Sequence, residues 1–200
     1  MSPAFWPLAL TFSRLLMGPA MLLVAWLHPL PGAWLAAGVV IGFLSDLFDG
    51  ILARHLGVSS PGLRRFDSQT DLVFWLCVIG CLFLARPEIA AAQWGYIAGM
   101  IALEVCTYAI SIRKFGRESC THAYSAKAWA VLAVGVFVAV LGFGEGVYSL
   151  PVLFVAYVVS WLDVVAIILI LPEWRSDVPS FYHALLIRRG VPFRTHRFFH

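Results

Sequence analysis

Six apolar stretches, each long enough to cross a bilayer, leave this chain little choice of fold. A helix needs about 20 largely apolar residues to span the hydrocarbon core. The stretches run 5–27, 33–55, 68–86, 91–112, 126–146 and 150–171. Proline and glycine punctuate the gaps, as in the segments from His28 to Gly32, from Gly57 to Gly62, at Arg86 and Pro87, and from Gly142 to Gly146. Composition agrees: of 200 residues, 61% are hydrophobic and 12% charged, with mean hydropathy +0.86. A soluble domain of this size leaves roughly a third of its unfolded surface wet and cannot hide so much apolar area. A soluble globule, a disordered chain, collagen, a coiled coil and a disulfide-stapled secreted domain are excluded. The expectation is an all-α integral membrane protein: six transmembrane helices around a cytoplasm-facing polar cavity over residues 1–176, then a basic interfacial tail over 177–200. The first stretch does not read as a cleaved signal peptide, because no basic segment precedes it and Arg14 interrupts it.

Lys and Arg set the expected orientation. The 2–3 connection carries Arg54, Arg64 and Arg65; the 4–5 connection carries Arg113, Lys114, Arg117 and, at its exit, Lys127. The tail carries Arg175, Arg188, Arg189, Arg194 and Arg197, whereas Arg86 stands alone on the other side. Both termini and the even connections are expected on the cytoplasmic face, with a bacterial inner (cytoplasmic) membrane as the location. The tail is too polar to span, and its apolar patch Phe181–Ile187 suits an interface near anionic headgroups. Phe5, Trp6, Trp26, Trp34, Trp94, Trp129 and Tyr148 sit near span ends, as an interfacial belt does. Cys77, Cys81, Cys106 and Cys120 show no zinc spacing and read as packing thiols. The net charge of +3 follows from loop bias and offers no nucleic-acid face.

Four of the eleven acids fall close together. Asp46 and Asp49 are three residues apart, Asp67 and Asp71 four apart, so each pair shares a helix face. The first pair closes the second span and the second opens the third, across a short Gly/Pro turn. All four carboxylates can therefore meet at one depth. Four anions at a membrane boundary need compensation, and hard divalent cations with oxygen preference supply it. Two such ions can clamp a phosphate and activate an attacking oxygen. The plainer alternative is that these acids cap helices or pair with Arg54, Arg64 and Arg65. Gly38, Gly42, Asp46, Gly50 and Arg54 repeat every four residues. Gly38 and Gly42 suit helix packing, while Gly50 and Ala53 leave room beside the carboxylates for a ligand.

The run Asp46-Leu-Phe-Asp49-Gly50-Ile-Leu-Ala53-Arg54, followed by Asp67-Ser-Gln-Thr-Asp71, resembles the signature of the CDP-alcohol phosphotransferases (CDP-alcohol phosphatidyltransferases), D-x2-D-G-x2-A-R-x8-G-x3-D-x3-D. Seven of its eight fixed positions match with the spacing kept, and the exception is Leu63 in place of a glycine. The family's Asn-x2-Thr-x2-Arg pattern in the first span is met by Thr11 and Arg14, with Leu8 at the Asn position. The resemblance implies transfer of a phosphatidyl or other substituted phosphoryl group from a CDP-linked lipid donor, such as CDP-diacylglycerol, to a small polar alcohol such as glycerol 3-phosphate, with release of CMP. It implies two divalent cations, Mg2+ or Mn2+, on Asp46, Asp49, Asp67 and Asp71, with Asp71 as general base. Gly50, Ala53 and Arg54 would border the CDP moiety, with Thr11 and Arg14 closing that pocket. A homodimer is implied as well. Lys127, Arg117 and Arg64 or Arg65 are candidates for an anionic acceptor, against the alternative that they merely set topology.

Glu104 and Asp163 lie within the fourth and sixth spans, where interhelical hydrogen bonds, for instance with Tyr108 or Trp161, are the expected use. His122, His55 and the tail histidines lack ligand spacing. Two other classes compete with the transferase. A membrane aromatic prenyltransferase also binds Mg2+–diphosphate through aspartates, but in two separate motifs on a longer chain. A non-catalytic metal or ion carrier leaves four Asp at one interface beside Gly50 and Arg54 unexplained.

Overall fold

The computed structural model describes residues 5–28, 32–58, 60–119, 121–145 and 149–192. Cys120, Tyr148, Arg194 and Arg197 lie outside the described residues. The described residues are helical, without strands. The elements are α1 (Phe5–Leu27), α2 (Gly32–His55), α3 (Pro61–Ala85), α4 (Pro87–Phe115), α5 (Tyr124–Phe137), α6 (Ser149–Ile170) and the short α7 (Phe181–Arg188). A π-helical stretch, Val138–Phe143, continues α5 and ends at Gly144, whose φ of 74° stops the helix. Among the described residues, six helices are long and apolar enough to cross a membrane, α5 with its π stretch counting as one. Their outward residues are themselves apolar, as lipid contact requires: Leu16, Leu23, Ile41, Leu47 and Phe48 are exposed, with Trp26 and Trp34 near span ends.

The third, fourth and fifth spans differ from the sequence reading, the fifth only by two or three residues at each end. The third helix starts at Pro61, about two turns earlier than the apolar stretch at 68. Ser60 is its N-cap: the Ser60 Oγ accepts from the Leu63 N–H at 3.2 Å, and Pro61 sits at the first helical position, where no N–H is needed. Asp67 and Asp71 are therefore well inside α3 and not at its opening. The fourth helix is also longer than expected, running Pro87–Phe115 with a break in helical geometry at Gln93.

The chain divides into two compact units. The first comprises Met1–Trp94 with Ala133–Leu150. In it, α1 packs against both α2 and α3, and α2 packs against the π stretch. Its core holds Met21 and Ala25 from α1, Leu35 and Val39 from α2, Phe74, Val78 and Leu82 from α3, and Val140 and Leu141. Small residues allow these helices to approach. A Cβ added at Gly42 would stand 2.2 Å from Phe74 Cζ, one at Gly38 would stand 2.7 Å from Met21 Sδ, and one at Gly18 would stand 3.1 Å from Cys77 Sγ.

The second unit comprises Gly95–Leu132 with Pro151–His200. Polar side chains tie α4, α5 and α6 together here. Tyr157 Oη donates to Glu104 Oε2 at 2.5 Å, and Trp161 Nε1 donates to the Leu103 carbonyl at 2.9 Å. Lys114 Nζ donates to the carbonyls of Ile168, Leu169 and Leu171, which closes the C-terminus of α6. Asp163 accepts from Ser125 Oγ at 2.6 Å and from the Phe181 N–H at 2.9 Å. It thereby caps α7, whose own N-cap Ser180 makes no side-chain capping bond. Both intramembrane acids thus serve helix-to-helix hydrogen bonds. The apolar patch of the tail forms α7, with Ala184 buried beside Ile167, Leu171 and Val178 while Phe181 and Tyr182 stay exposed.

The two packing glycines should respond differently to one added methyl. Phe74 is 1% exposed and meets the added methyl with a rigid ring, so Gly42→Ala should lose about 1–3 kcal/mol through overpacking. At Gly38 the obstructing atom is in a flexible thioether, and Ala gains back roughly 0.5–1 kcal/mol of backbone entropy relative to Gly. Thermal unfolding in detergent should show a clear loss for Gly42→Ala and little change for Gly38→Ala. Equal losses would contradict this account of the contact.

Candidate active site

Helical spacing on three neighbouring helices builds the site within the first unit. Thr11, Arg14 and Gly18 recur every three to four residues, and all three are buried in α1. Asp46, Asp49 and Ala53 follow the same rule at the end of α2, and Asp67, Asp71 and Phe74 do so in α3. The close contacts at Gly18 and Gly42 lie one turn from Arg14 and Asp46. They bring the three helices together next to the polar residues.

The centre is Arg14, a residue 1% exposed inside a membrane-length helix. Its Nη1 lies 2.7 Å from Asp46 Oδ1. Its Nη2 lies 2.5 Å from Asp67 Oδ1, 3.1 Å from Asp71 Oδ1 and 3.5 Å from Asp49 Oδ2. One guanidinium thus touches all four carboxylates. The Thr11 hydroxyl lies 3.0 Å from Asp49 Oδ2 and equally from the Pro7 carbonyl oxygen, which orients the innermost carboxylate. The side chains of Asp49 and Asp67 are 3% and 10% exposed, those of Asp46 and Asp71 36% and 31%. The cluster therefore has a sealed inner edge and an open outer one.

The donor set fits a hard divalent cation. Asp46, Asp49 and Asp67 each offer an oxygen, and the three oxygens lie within 4.8 Å of one another. Asp71 stands outside that group of three and joins it through Arg14. Beside the carboxylates, Gly50 opens onto the Arg54 guanidinium, whose Nη1 is 3.3 Å from where a Cβ would be. Ala53 is buried, Arg64 is buried and Arg65 is exposed. Leu63 lies in the first turn of α3 and is not among the residues of positive φ, so a side chain there brings no backbone strain. Leu8 is exposed on α1.

A family model of CDP-alcohol phosphatidyltransferase matches residues 4–171. The chain belongs to that family. No curated protein and no solved structure matches it. Membership makes it a CDP-alcohol phosphotransferase of phospholipid biosynthesis, in a family that depends on divalent metal. The prenyl-transfer and carrier readings fall away.

Thr11, Arg14, Asp46, Asp49, Asp67 and Asp71 come together as one cluster. Arg117 and Lys127 belong to the second unit, where the Arg117 guanidinium lies 5.7 Å from the Trp174 ring centre and Lys127 Nζ lies 5.8 Å from that of Tyr124. The feature that sequence reasoning passed over is the pairing of Arg14 with the aspartates. Its signal was present: an arginine within an apolar span has to meet an acid, and Asp46, Asp49, Asp67 and Asp71 form the densest acidic group in the chain.

If the inner carboxylates ligate metal, Asp49→Ala should raise the dissociation constant for Mn2+ by about 10–100-fold, the range typical of a lost supporting or ligating group. Electron paramagnetic resonance titration of free Mn2+ against detergent-solubilised protein measures this directly. Unchanged affinity would remove Asp49 from the site.

Proposed function

We propose that this protein transfers the phosphatidyl group of CDP-diacylglycerol to a small polar alcohol, with glycerol 3-phosphate as the favoured acceptor, and releases CMP. The observation that carries the reading is the convergence of four aspartates from α2 and α3 around one buried guanidinium. The catalytic face is assigned to the cytoplasmic side of a bacterial inner membrane, from the bias of Lys and Arg, and the functional unit to a homodimer.

In this reading the acceptor hydroxyl oxygen forms a bond to the β-phosphorus of the donor. The bond from that phosphorus to the oxygen bridging to CMP breaks, and CMP leaves with the electron pair. The acceptor proton passes to a carboxylate oxygen of Asp71. Asp71 suits the role because it is partly open to water and lies outside the close group of three donors. Asp46, Asp49 and Asp67, with Asp71, would hold the divalent cations. When bound, these supply charge neutralisation on the diphosphate and on the leaving oxygen. Thr11 holds the Asp49 carboxylate in place. Gly50 and Ala53 provide the low wall along which the CDP moiety approaches, with Arg54 beside it. Arg64 and Arg65, on the same helix as Asp67 and Asp71, are the proposed acceptor-side cations.

The test is CMP release by purified protein given CDP-diacylglycerol, Mg2+ or Mn2+, and separate acceptors: glycerol 3-phosphate, serine, inositol, inositol phosphate, choline and phosphatidylglycerol. Release should depend on one acceptor and stop with EDTA. Asp71→Asn should lower turnover by at least about 100-fold, the usual worth of a general base, and leave CDP affinity within a few fold. Turnover at the wild-type rate in Asp71→Asn would end the base assignment, and release with no dependence on acceptor would end the transferase reading.

A further inference from the structure

Arg14 is placed where the metal reading puts cations. Its two terminal nitrogens reach one oxygen of each aspartate, including all three that form the close donor group. A divalent cation binds carboxylate oxygens at about 2.0–2.6 Å. A guanidinium nitrogen held against the same carboxylates would then sit in like-charge contact with it, at the sealed inner edge of the site. The arrangement also has a cost. Arg14 Nε is buried and has no hydrogen-bond partner, and a buried donor left unsatisfied disfavours the conformation that buries it.

We propose that Arg14 is a built-in countercharge with two positions. Without divalent cations it holds the four carboxylates together. As cations enter, it gives up the inner carboxylates and turns its charge to the diphosphate of the donor. The inference rests on the metal-dependent transferase reading above and adds to it how the site is kept folded and neutralised between turnovers. Four carboxylates at the junction of three packed helices repel one another. Arg14 removes part of that repulsion in the metal-free protein, and the same contacts compete with metal.

Two affinities should therefore move in opposite directions when Arg14 is replaced. In Arg14→Gln, Mn2+ should bind about tenfold more tightly than in wild type, within the usual range of coupling free energies. The metal-free protein should melt lower, and added Mn2+ should raise its melting temperature by more than it raises that of wild type. CDP should bind the Mn2+-loaded variant about tenfold more weakly, because the freed guanidinium is missing. Arg14→Lys keeps one charge but loses the two-nitrogen fork, and both its affinities should fall between those of wild type and Arg14→Gln. The lysine variant keeps the proposal testable if the glutamine variant does not fold.

The measurements are Mn2+ titration by electron paramagnetic resonance, thermal unfolding with and without Mn2+, and CDP titration of the Mn2+-loaded protein. A purely structural role would weaken metal and CDP binding together, and that result would overturn the proposal. Mn2+ affinity equal to wild type in the variants would overturn it too, because Arg14 would then not compete with the cations for the carboxylates. If wild type itself takes up no Mn2+, the metal reading fails and this proposal with it.

Discussion

Everything at the polar end of the first unit depends on one charge arrangement: a guanidinium on α1 shared by four carboxylates on α2 and α3. A lone arginine or aspartate within a membrane span costs roughly 2.5–3.5 kcal/mol on insertion scales. Mutual contact is what makes five such residues tolerable so close together. The arrangement needs all three helices at once, so it fixes their rotation as well as their neighbours. A turn of any one helix by a single residue would break it.

Packing makes that contact possible. In lipid, apolar side chains gain little by leaving their surroundings, so helices associate where small residues let backbones come close. Gly18 meets Cys77 and Phe74, Gly42 meets Phe74, and Gly38 meets Met21. Two of these contacts, at Gly18 and Gly42, lie one turn from the charged cluster. Gly50 continues the small-residue face of α2 but has only the Arg54 guanidinium near it. The same four-residue repeat therefore packs helices at one end and leaves space at the other. That change from packing to openness along one face turns a helix bundle into a site.

The spans were legible because lipid demands long apolar helices, and α1, α2 and α6 fall within a residue of their expected limits. Helix ends set by capping chemistry were less so. The start of α3 depends on Ser60 and Pro61, which hydropathy does not register. The break at Gln93 and the π stretch at Val138–Phe143 have no apolar signature either. The aspartates were legible because their spacing places them on one face. The partnership of Arg14 was not, because it depends on which helix packs beside the acidic pair. Leu63 shows the reverse: it departs from the family pattern in sequence, yet its place in a first helical turn makes a side chain unremarkable.

The aspartates are proposed to hold divalent cations where the diphosphate of a CDP-linked donor is bound. Electron–nuclear double resonance on Mn2+-loaded protein tests it most directly, because phosphorus couples to Mn2+ only across a few ångströms. With CDP-diacylglycerol present, wild type should show a resolved phosphorus coupling that disappears in Asp67→Asn. Bound Mn2+ with no phosphorus coupling, or a coupling that survives Asp67→Asn, would place the metal or the donor elsewhere and contradict the account.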